Sequence, residues 1–209
     1  MRRSFFLGPI ALFAVSSVVF AKDAIRLPSP RTEGGKPLMQ ALKERRSQRS
    51  FSPKVLPDQV LSDLLWAADG INRPDGHKTA PSARNMQEID IYVAKADGLY
   101  LYGAKDNSLS QVTAEDIRAL TGKQDFVKSA PVDLIYVADE GRMSQAGELK
   151  DKWASADTGF IAENVYLYCA SEGLATVVRG MFDEAQLSKA MKLRPNQKIV
   201  LTQTVGYPQ

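Results

Sequence analysis

Apolar residues recur at helical spacing in several stretches of the chain, and this spacing predicts helices. The strongest stripe, in residues 60–68, follows Pro57 and Asp58 and ends before Gly70. Proline and an acidic residue favour a first helical turn, and glycine favours a stop. The stripes predict further helices beginning at Leu38 and over residues 153–173 and 183–191. A capped helix is also predicted over residues 113–122, with Thr113 at the cap and Asp116 three residues later.

Runs of β-branched and aromatic residues predict strands between these helices. Residues 89–96 and 98–104 flank an Asp-Gly pair, which is typical of a β-hairpin. Residues 131–139 form a short, almost wholly apolar run that predicts a central strand, and further strands are expected over residues 174–182 and 198–208. The mixture of strands and helices predicts an α+β domain.

The N-terminal stretch is typical of a targeting segment. Arg2 and Arg3 precede an apolar run over residues 4–20, and a small residue stands at Ala21. We therefore expect a signal peptide over residues 1–21 and an exported, periplasmic protein with no membrane span after cleavage, the alternative being a retained anchor. The paired arginines fit the twin-arginine route as well as general secretion. Residues 22–36, rich in Pro and Gly, predict an extended arm or linker, and residues 37–209 one domain.

Composition excludes several classes of function. Without Arg2 and Arg3, the 27 basic residues become 25, against 24 acidic residues, so the body of the chain is nearly neutral and does not indicate nucleic-acid binding. Cys169 and His77 are the sole cysteine and histidine. A disulfide framework, a metal site and a Ser-His-Asp system are therefore not expected.

The residues that carry candidate chemistry begin with "ERRSQRSF", residues 44–51. Here Arg45, Arg46 and Arg49 surround Ser47, and arginine suits bidentate capture of phosphate. Taken alone, the cluster also fits a solvated helix end, where cations interact favourably with the helix dipole.

Two other segments add polar groups. "APSARNMQ", residues 80–87, offers Ser82, Asn85 and Gln87 on a tight loop. Arg179 and Gly180 end a predicted strand, where glycine would let backbone approach a flat ligand. The three segments form one site only if folding brings them together.

In this order the segments resemble motifs of the FMN-dependent nitroreductase-like flavoproteins. "ERRSQRSF" is similar to the family's R-x-S-x-[RK] phosphate motif, and "APSARNMQ" to its P-S-x-x-N-x-Q loop. The stretch from 156 to 183 is similar to its central helix and following strand, and "KSAPVDLIYV" and "TVGYP" to two further strands. Residues 98–109 resemble a hairpin of the branch whose members modify peptides or act as SagB-type dehydrogenases.

The resemblance implies a fold, a cofactor and site residues. The fold would be α+β with an antiparallel-rich mixed sheet flanked by helices, in an intertwined homodimer with FMN between the subunits. Arg45, Ser47 and Arg49 would hold the phosphate and ribityl chain, with Arg46 close by. The residues expected at the flavin ring are Pro81, Ser82, Ala83, Asn85, Gln87, Arg179 and Gly180. No side chain is expected to be catalytic, because FMN carries the chemistry.

The implied function is two-electron transfer through FMN to a small aromatic, nitro or quinone-like acceptor. A non-catalytic exported protein that binds FMN or another planar anion is the alternative. NAD(P)H, the family's usual donor, is not expected outside the cytoplasm, so the sequence leaves the donor open. Glu88 departs from the family pattern, in which proline is common. Residues 207–209 carry no cation, so we expect the arginine cluster to hold the phosphate without a basic tail.

Overall fold

In a computed structural model that describes residues 24–209, the chain forms one seven-stranded sheet with four α-helices. The expected signal peptide at residues 1–21 lies outside the described residues. Among the described residues, no helix is both long enough and apolar enough to cross a membrane. The strands are β1 (Ile25–Arg26), β2 (Ile89–Lys95), β3 (Gly98–Gly103), β4 (Ser108–Thr113), β5 (Val132–Asp139), β6 (Ala175–Arg179) and β7 (Gln197–Gly206). The helices are α1 (Leu38–Glu44), α2 (Asp58–Asp69), α3 (Lys150–Glu172) and α4 (Glu184–Met191).

The strands lie in the order β1-β4-β3-β2-β5-β7-β6. Every strand pair within residues 24–209 is antiparallel, in agreement with the antiparallel-rich α+β sheet predicted from the sequence. The predicted hairpin is formed by β2 and β3, and the predicted central strand is β5, all of whose residues are buried. In register, Ile135 of β5 faces Tyr92 of β2 on one side and Thr202 of β7 on the other.

Alternate residues of the central strands face two different cores. Leu134 and Tyr136 point to the larger core, which is closed by α2 and α3. Ile135 and Val137 point to the opposite core, which is closed by α4. Successive side chains of a strand face opposite sides, so a continuous apolar run such as β5 is stable only with both faces covered.

The helix ends follow the expected local chemistry. Pro57 directly precedes α2, and the helix ends before Gly70, as predicted. Asp183 caps α4 by accepting a hydrogen bond from the Gln186 amide at 3.0 Å. The long helix α3 begins three residues earlier than predicted, and Gly173 ends it at φ 70°, a left-handed conformation that favours glycine.

The capped helix predicted over residues 113–122 is wrong. Thr113 is the last residue of β4 and pairs with Leu99 of β3, and only a single 3₁₀ turn follows, at Arg118–Leu120. The carboxylate of Asp116 accepts hydrogen bonds from the Arg118 amide at 3.1 Å and from its guanidinium at 2.9 Å. This side-chain interaction competes with a helical backbone.

Residues 24–36 run across the surface of the domain. Two residues of this segment form β1, which pairs with β4 at the sheet edge. Further on, the backbone oxygen of Pro28 accepts hydrogen bonds from Ser62 of α2 at 2.5 Å and from Asn107 at 2.8 Å. Arg31 forms a salt bridge of 2.7 Å with the buried Asp63. These contacts attach the segment to α2 and to the β3–β4 turn.

Candidate functional site

The arginine motif follows α1 directly and is attached to β6 at Gln48. Arg45 ends the helix with φ −55° and ψ 127°, and the Gln48 amide donates to the oxygen of Thr176 in β6 at 2.9 Å. Successive side chains of an extended segment point to opposite sides. Arg45, Ser47 and Arg49 occupy alternate positions, and in an extended segment such positions place their side chains on the same side.

The first side of the motif contacts α3 through Tyr166. Arg45 places its guanidinium carbon 5.1 Å from the centre of the Tyr166 ring and its Nε 3.7 Å from Glu163. Ser47 Oγ lies 2.8 Å from Tyr166 Oη. Ser47 and Arg49 are exposed, so their donor groups are accessible to a ligand.

The second side of the motif borders a basic cleft of about 520 Å³ between α1 and the C-terminal half of α3. Arg46 and Gln48 line this cleft, whereas Ser47 and Arg49 do not. Its charged residues are Lys36, Lys43, Glu44, Arg45 and Arg46. The C-terminus of α3, before Gly173, contributes about half a negative charge. The four cationic side chains of the cleft outweigh this charge and that of Glu44. The cleft therefore favours an anion. Arg45 borders it as well as contacting Tyr166, whereas Ser47 and Arg49 are not among its lining residues.

The loop predicted to contact the flavin ring is held by α3 as well. The Ala83 amide donates to Asp157 Oδ2 of α3 at 2.8 Å. Ser82 Oγ accepts from the Gln87 amide at 3.0 Å, and the side chain of Gln87 donates to Asn85 Oδ1 at 3.0 Å.

Three non-glycine residues of this loop adopt the left-handed backbone conformation. The φ values are 53° at Arg84, 52° at Asn85 and 49° at Gln87. Such conformations cost free energy and persist where the surrounding contacts fix them, often at functional sites.

Within one chain, the arginine motif and this loop contact different parts of α3. Asp157, which holds the loop, lies nine residues before Tyr166, so the contacts are about 14 Å apart along the helix axis. Pro81, Ser82 and Gln87 border a separate small cavity with Asp69 and Lys78. The structure of one chain does not bring the predicted phosphate and ring contacts into a single cleft.

Arg179 turns its side chain into the protein. Its Nη2 donates to Asp133 Oδ1 and to Thr204 Oγ1, each at 2.7 Å, and its Nη1 donates to the oxygen of Thr121 at 2.6 Å. Burial lowers the pKa of Arg179 and raises the pKa of Asp133 to about 7, while their mutual attraction opposes both shifts. The Arg179 side chain thus anchors the end of β6, which leaves its backbone as the part available to a ligand. The contact of this backbone with a flavin ring stays a prediction.

Gly180 follows Arg179 and is exposed. A Cβ built on it would meet only Leu201 Cδ2, at 3.6 Å. Nothing in residues 24–209 therefore requires a glycine at this position, and close approach of a ligand to Gly180 stays a prediction.

Three residues at these segments were not among the predicted site residues. Tyr166 contacts the motif, Asp157 holds the loop, and Glu88 is fully buried beside Asp157. Asp157 could have been found, because it occupies the same helical stripe as the buried Ile161 and Val165, where an acid is unexpected. Tyr166 gives no such signal.

A family model decides the classification. The model described as the nitroreductase family matches residues 42–207. The chain belongs to the nitroreductase family. The match spans the arginine motif, the loop at residues 81–87 and all of α3, and it confirms the family named from the sequence. The membership of the SagB-type branch stays a prediction.

Relatives agree with this family assignment. The protein MJ1384 of Methanocaldococcus jannaschii, described as a nitroreductase, is 32% identical over 183 residues, which cover 82% of this chain and 92% of that protein. A crystal structure of a nitroreductase from Ralstonia eutropha JMP134 is 42% identical and covers 96% of each chain, with a TM-score of 0.86.

The fold is shared more widely among solved nitroreductases. A structure from Desulfovibrio desulfuricans, solved in complex with FMN, covers 84% of this chain and 88% of its own, with 24% identity and a TM-score of 0.62. The predicted nitroreductase fold is thus confirmed, and membership of the family supports an oxidoreductase.

The residues of the motif fit a flavin phosphate in their chemistry. Two guanidinium groups and a hydroxyl are donors suited to a phosphate monoester, and Ser47 and Arg49 are exposed to receive it. The described residues contain no group of three or more His, Cys, Asp or Glu side chains arranged to hold a metal ion.

Proposed function

We propose that this nitroreductase-family protein is an FMN-dependent oxidoreductase that passes two electrons to a small aromatic, nitro or quinone-like acceptor. The observation that carries the proposal is the arginine motif, which is attached to β6 at Gln48 and places Arg45 and Ser47 against Tyr166 of α3. Membership of the family and the FMN complex of the D. desulfuricans relative support the choice of cofactor.

In this proposal each segment has a separate task. Arg45, Ser47 and Arg49 hold the phosphate and ribityl chain, and Arg46 adds positive charge nearby. Pro81, Ser82, Ala83, Asn85 and Gln87 form the loop beside the flavin ring, and the backbone of Arg179 and Gly180 lies near its reactive edge. FMN, when bound, supplies the redox chemistry, so the protein needs no acidic or basic side chain for that step.

We further propose that the site is completed by a second copy of the chain. Within one chain the motif and the loop border separate cavities, which favours a site that a second chain completes. The apolar stripe of α1 supports this, because Leu38 is 61% and Met39 75% exposed. Apolar side chains on one exposed helix face are typical of an interface.

The cellular site of action follows from the predicted signal peptide at residues 1–21. We propose that the protein works in the periplasm, where its electron donor is a reductant other than the cytoplasmic pool of NAD(P)H. Measuring which compartment contains the protein with bound flavin, by fractionation and flavin analysis, tests this part.

The cofactor is tested by titrating the purified protein with FMN and following flavin fluorescence. We expect Arg49→Ala to weaken FMN binding by about 10- to 100-fold, because one charge-assisted hydrogen bond contributes about 1.5–3 kcal/mol. Lys105→Ala, which removes an exposed cation in the β3–β4 turn, should leave the affinity unchanged. Failure of the wild-type protein to bind FMN would contradict the proposal.

Catalysis is tested separately from binding. The bound FMN is reduced chemically without oxygen, and its reoxidation by a quinone is followed by stopped flow. We expect faster reoxidation than for free FMN. An equal or lower rate would instead identify a binding protein without turnover.

A further inference from the structure

The hydroxyl group of Tyr166 joins the phosphate motif to β6. Its oxygen lies 3.0 Å from the backbone nitrogen of Val178 and 2.8 Å from Ser47 Oγ. The ring of the same residue lies beneath the guanidinium of Arg45. One side chain of α3 thus contacts two of the three residues on the phosphate side of the motif.

The direction of the hydrogen bonds follows from the donors available. The Val178 N–H can only donate, so the Tyr166 oxygen accepts there. The single proton of Tyr166 remains for Ser47, and a phenol is a stronger donor and a weaker acceptor than an aliphatic hydroxyl. Tyr166 therefore donates to Ser47 Oγ, which in turn directs its own proton away from Tyr166.

Hydrogen bonds strengthen each other when each group in a chain accepts a proton from one neighbour and donates its own proton to the next. The chain from Val178 through Tyr166 to Ser47 ends on a hydroxyl proton at an exposed position. A proton that is already directed outward binds an anion without first losing another partner. Ser47 is thereby prepared as a donor to negative charge.

We propose that Tyr166 is a positioning residue that makes Ser47 a directed donor and so selects flavins that carry a phosphate over riboflavin. The inference rests on the proposed FMN site and adds to it a determinant of cofactor specificity. Arg45 and Arg49 attract the phosphate by charge, whereas the Tyr166–Ser47 pair contributes a directional hydrogen bond.

The test compares Tyr166→Phe with Tyr168→Phe. The first change removes the hydroxyl but keeps the ring beneath Arg45. The second removes a hydroxyl of the same helix that donates instead to the oxygen of Val60, at 3.3 Å. FMN and riboflavin are each titrated by flavin fluorescence, and thermal unfolding checks that both variants fold.

We expect Tyr166→Phe to weaken FMN binding by about tenfold, with riboflavin affinity unchanged, whereas Tyr168→Phe changes neither. Ser47→Ala should lose the same preference for FMN, and the double variant should bind FMN no more weakly than Ser47→Ala alone. Because Ser47 is exposed, its variant gives this readout even if Tyr166→Phe fails to fold.

Two outcomes would overturn this inference and leave the proposed function standing. One is an equal loss of affinity for FMN and for riboflavin in Tyr166→Phe. The other is that the losses of FMN affinity add up in the double variant. Either would show that Tyr166 acts only on the structure of the site or independently of Ser47. A wild-type protein that binds neither flavin would overturn the proposed function and this inference with it.

Discussion

At the scale of single residues, Glu88 is an acid in an environment that disfavours its charge. Its side chain is fully buried beside the carboxyl group of Asp157. Burial raises the pKa of Glu88 to about 7, and the neighbouring carboxyl group of Asp157 adds to the shift. The folded protein therefore binds a proton at Glu88 more tightly than the unfolded chain does.

The sign of the pH dependence follows from this raised pKa. Glu88 is protonated at low pH in both states, and the free energy of unfolding falls as the pH rises from about 4.5 to about 7, because the folded state then has to bury a charge. Glu88→Gln removes the charge and keeps the shape. We expect it to stabilise the protein by about 1–3 kcal/mol at pH 8, with little effect at pH 4.5, in urea unfolding.

The matched control for this prediction is Glu115→Gln. Glu115 is exposed, so its change should alter stability by less than about 0.5 kcal/mol at either pH. If Glu88→Gln were equally stabilising at both pH values, the titration of Glu88 would not be the cause.

At the scale of elements, the buried ion pair of Arg179 depends on a glycine in another segment. A Cβ built on Gly122 would overlap Arg179 Nη1. The guanidinium is fixed by Asp133 and Thr204, so it cannot move without breaking a buried salt bridge. We expect Gly122→Ala to lower the free energy of unfolding by about 1–3 kcal/mol in urea denaturation.

Gly180→Ala is the control, because the added methyl group meets only Leu201 at an ordinary contact distance. Its stability should stay within about 0.5 kcal/mol of the wild type. A Gly122→Ala protein as stable as the Gly180→Ala protein would show that the ion pair rearranges easily.

Elements with one dominant signal could be predicted from the sequence, and elements decided by competing contacts could not. The apolar run of β5 and the spacing in α2 leave little choice of structure. Residues 113–122 carry a helical signal, but pairing of Thr113 with β3 and the Asp116–Arg118 interaction prevent the helix. The strand β4 was missed because "SLSQVT" is largely polar.

The candidate site shows the same limit. The residues of the motif and the loop could be named from their spacing, and their binding of FMN stays a prediction. Neither the inward direction of the Arg179 side chain nor the contact of Tyr166 with Ser47 could be predicted, because both depend on packing between segments far apart in the sequence.

At the scale of the whole molecule, the exposed apolar residues predict association of two chains. Met39→Lys combined with Leu42→Lys places two charges on the apolar face of α1. We expect light scattering to give a mass twice that of the chain for the wild type and the mass of one chain for the variant. FMN affinity should fall in parallel, because the motif and the loop no longer meet.

Ile25→Lys is the control for this prediction, because Ile25 is also exposed but lies in β1, at the outer edge of the sheet. It should leave the mass unchanged. A wild-type protein that is monomeric with FMN bound would contradict a site shared between two chains.

The position of β7 has a consequence for the time at which the protein can fold. β7 lies between β5 and β6, although both are synthesised before it. The sheet therefore stays open, with β5 lacking one partner, until residues 197–206 have left the ribosome. Until then Thr204, which accepts a hydrogen bond from the Arg179 guanidinium, and Thr202, which donates to the Arg179 oxygen, are also missing. A nascent chain of this protein thus stays a substrate for chaperones until β7 has joined the sheet, and a stalled chain ending before Gln197 should be readily digested by proteases.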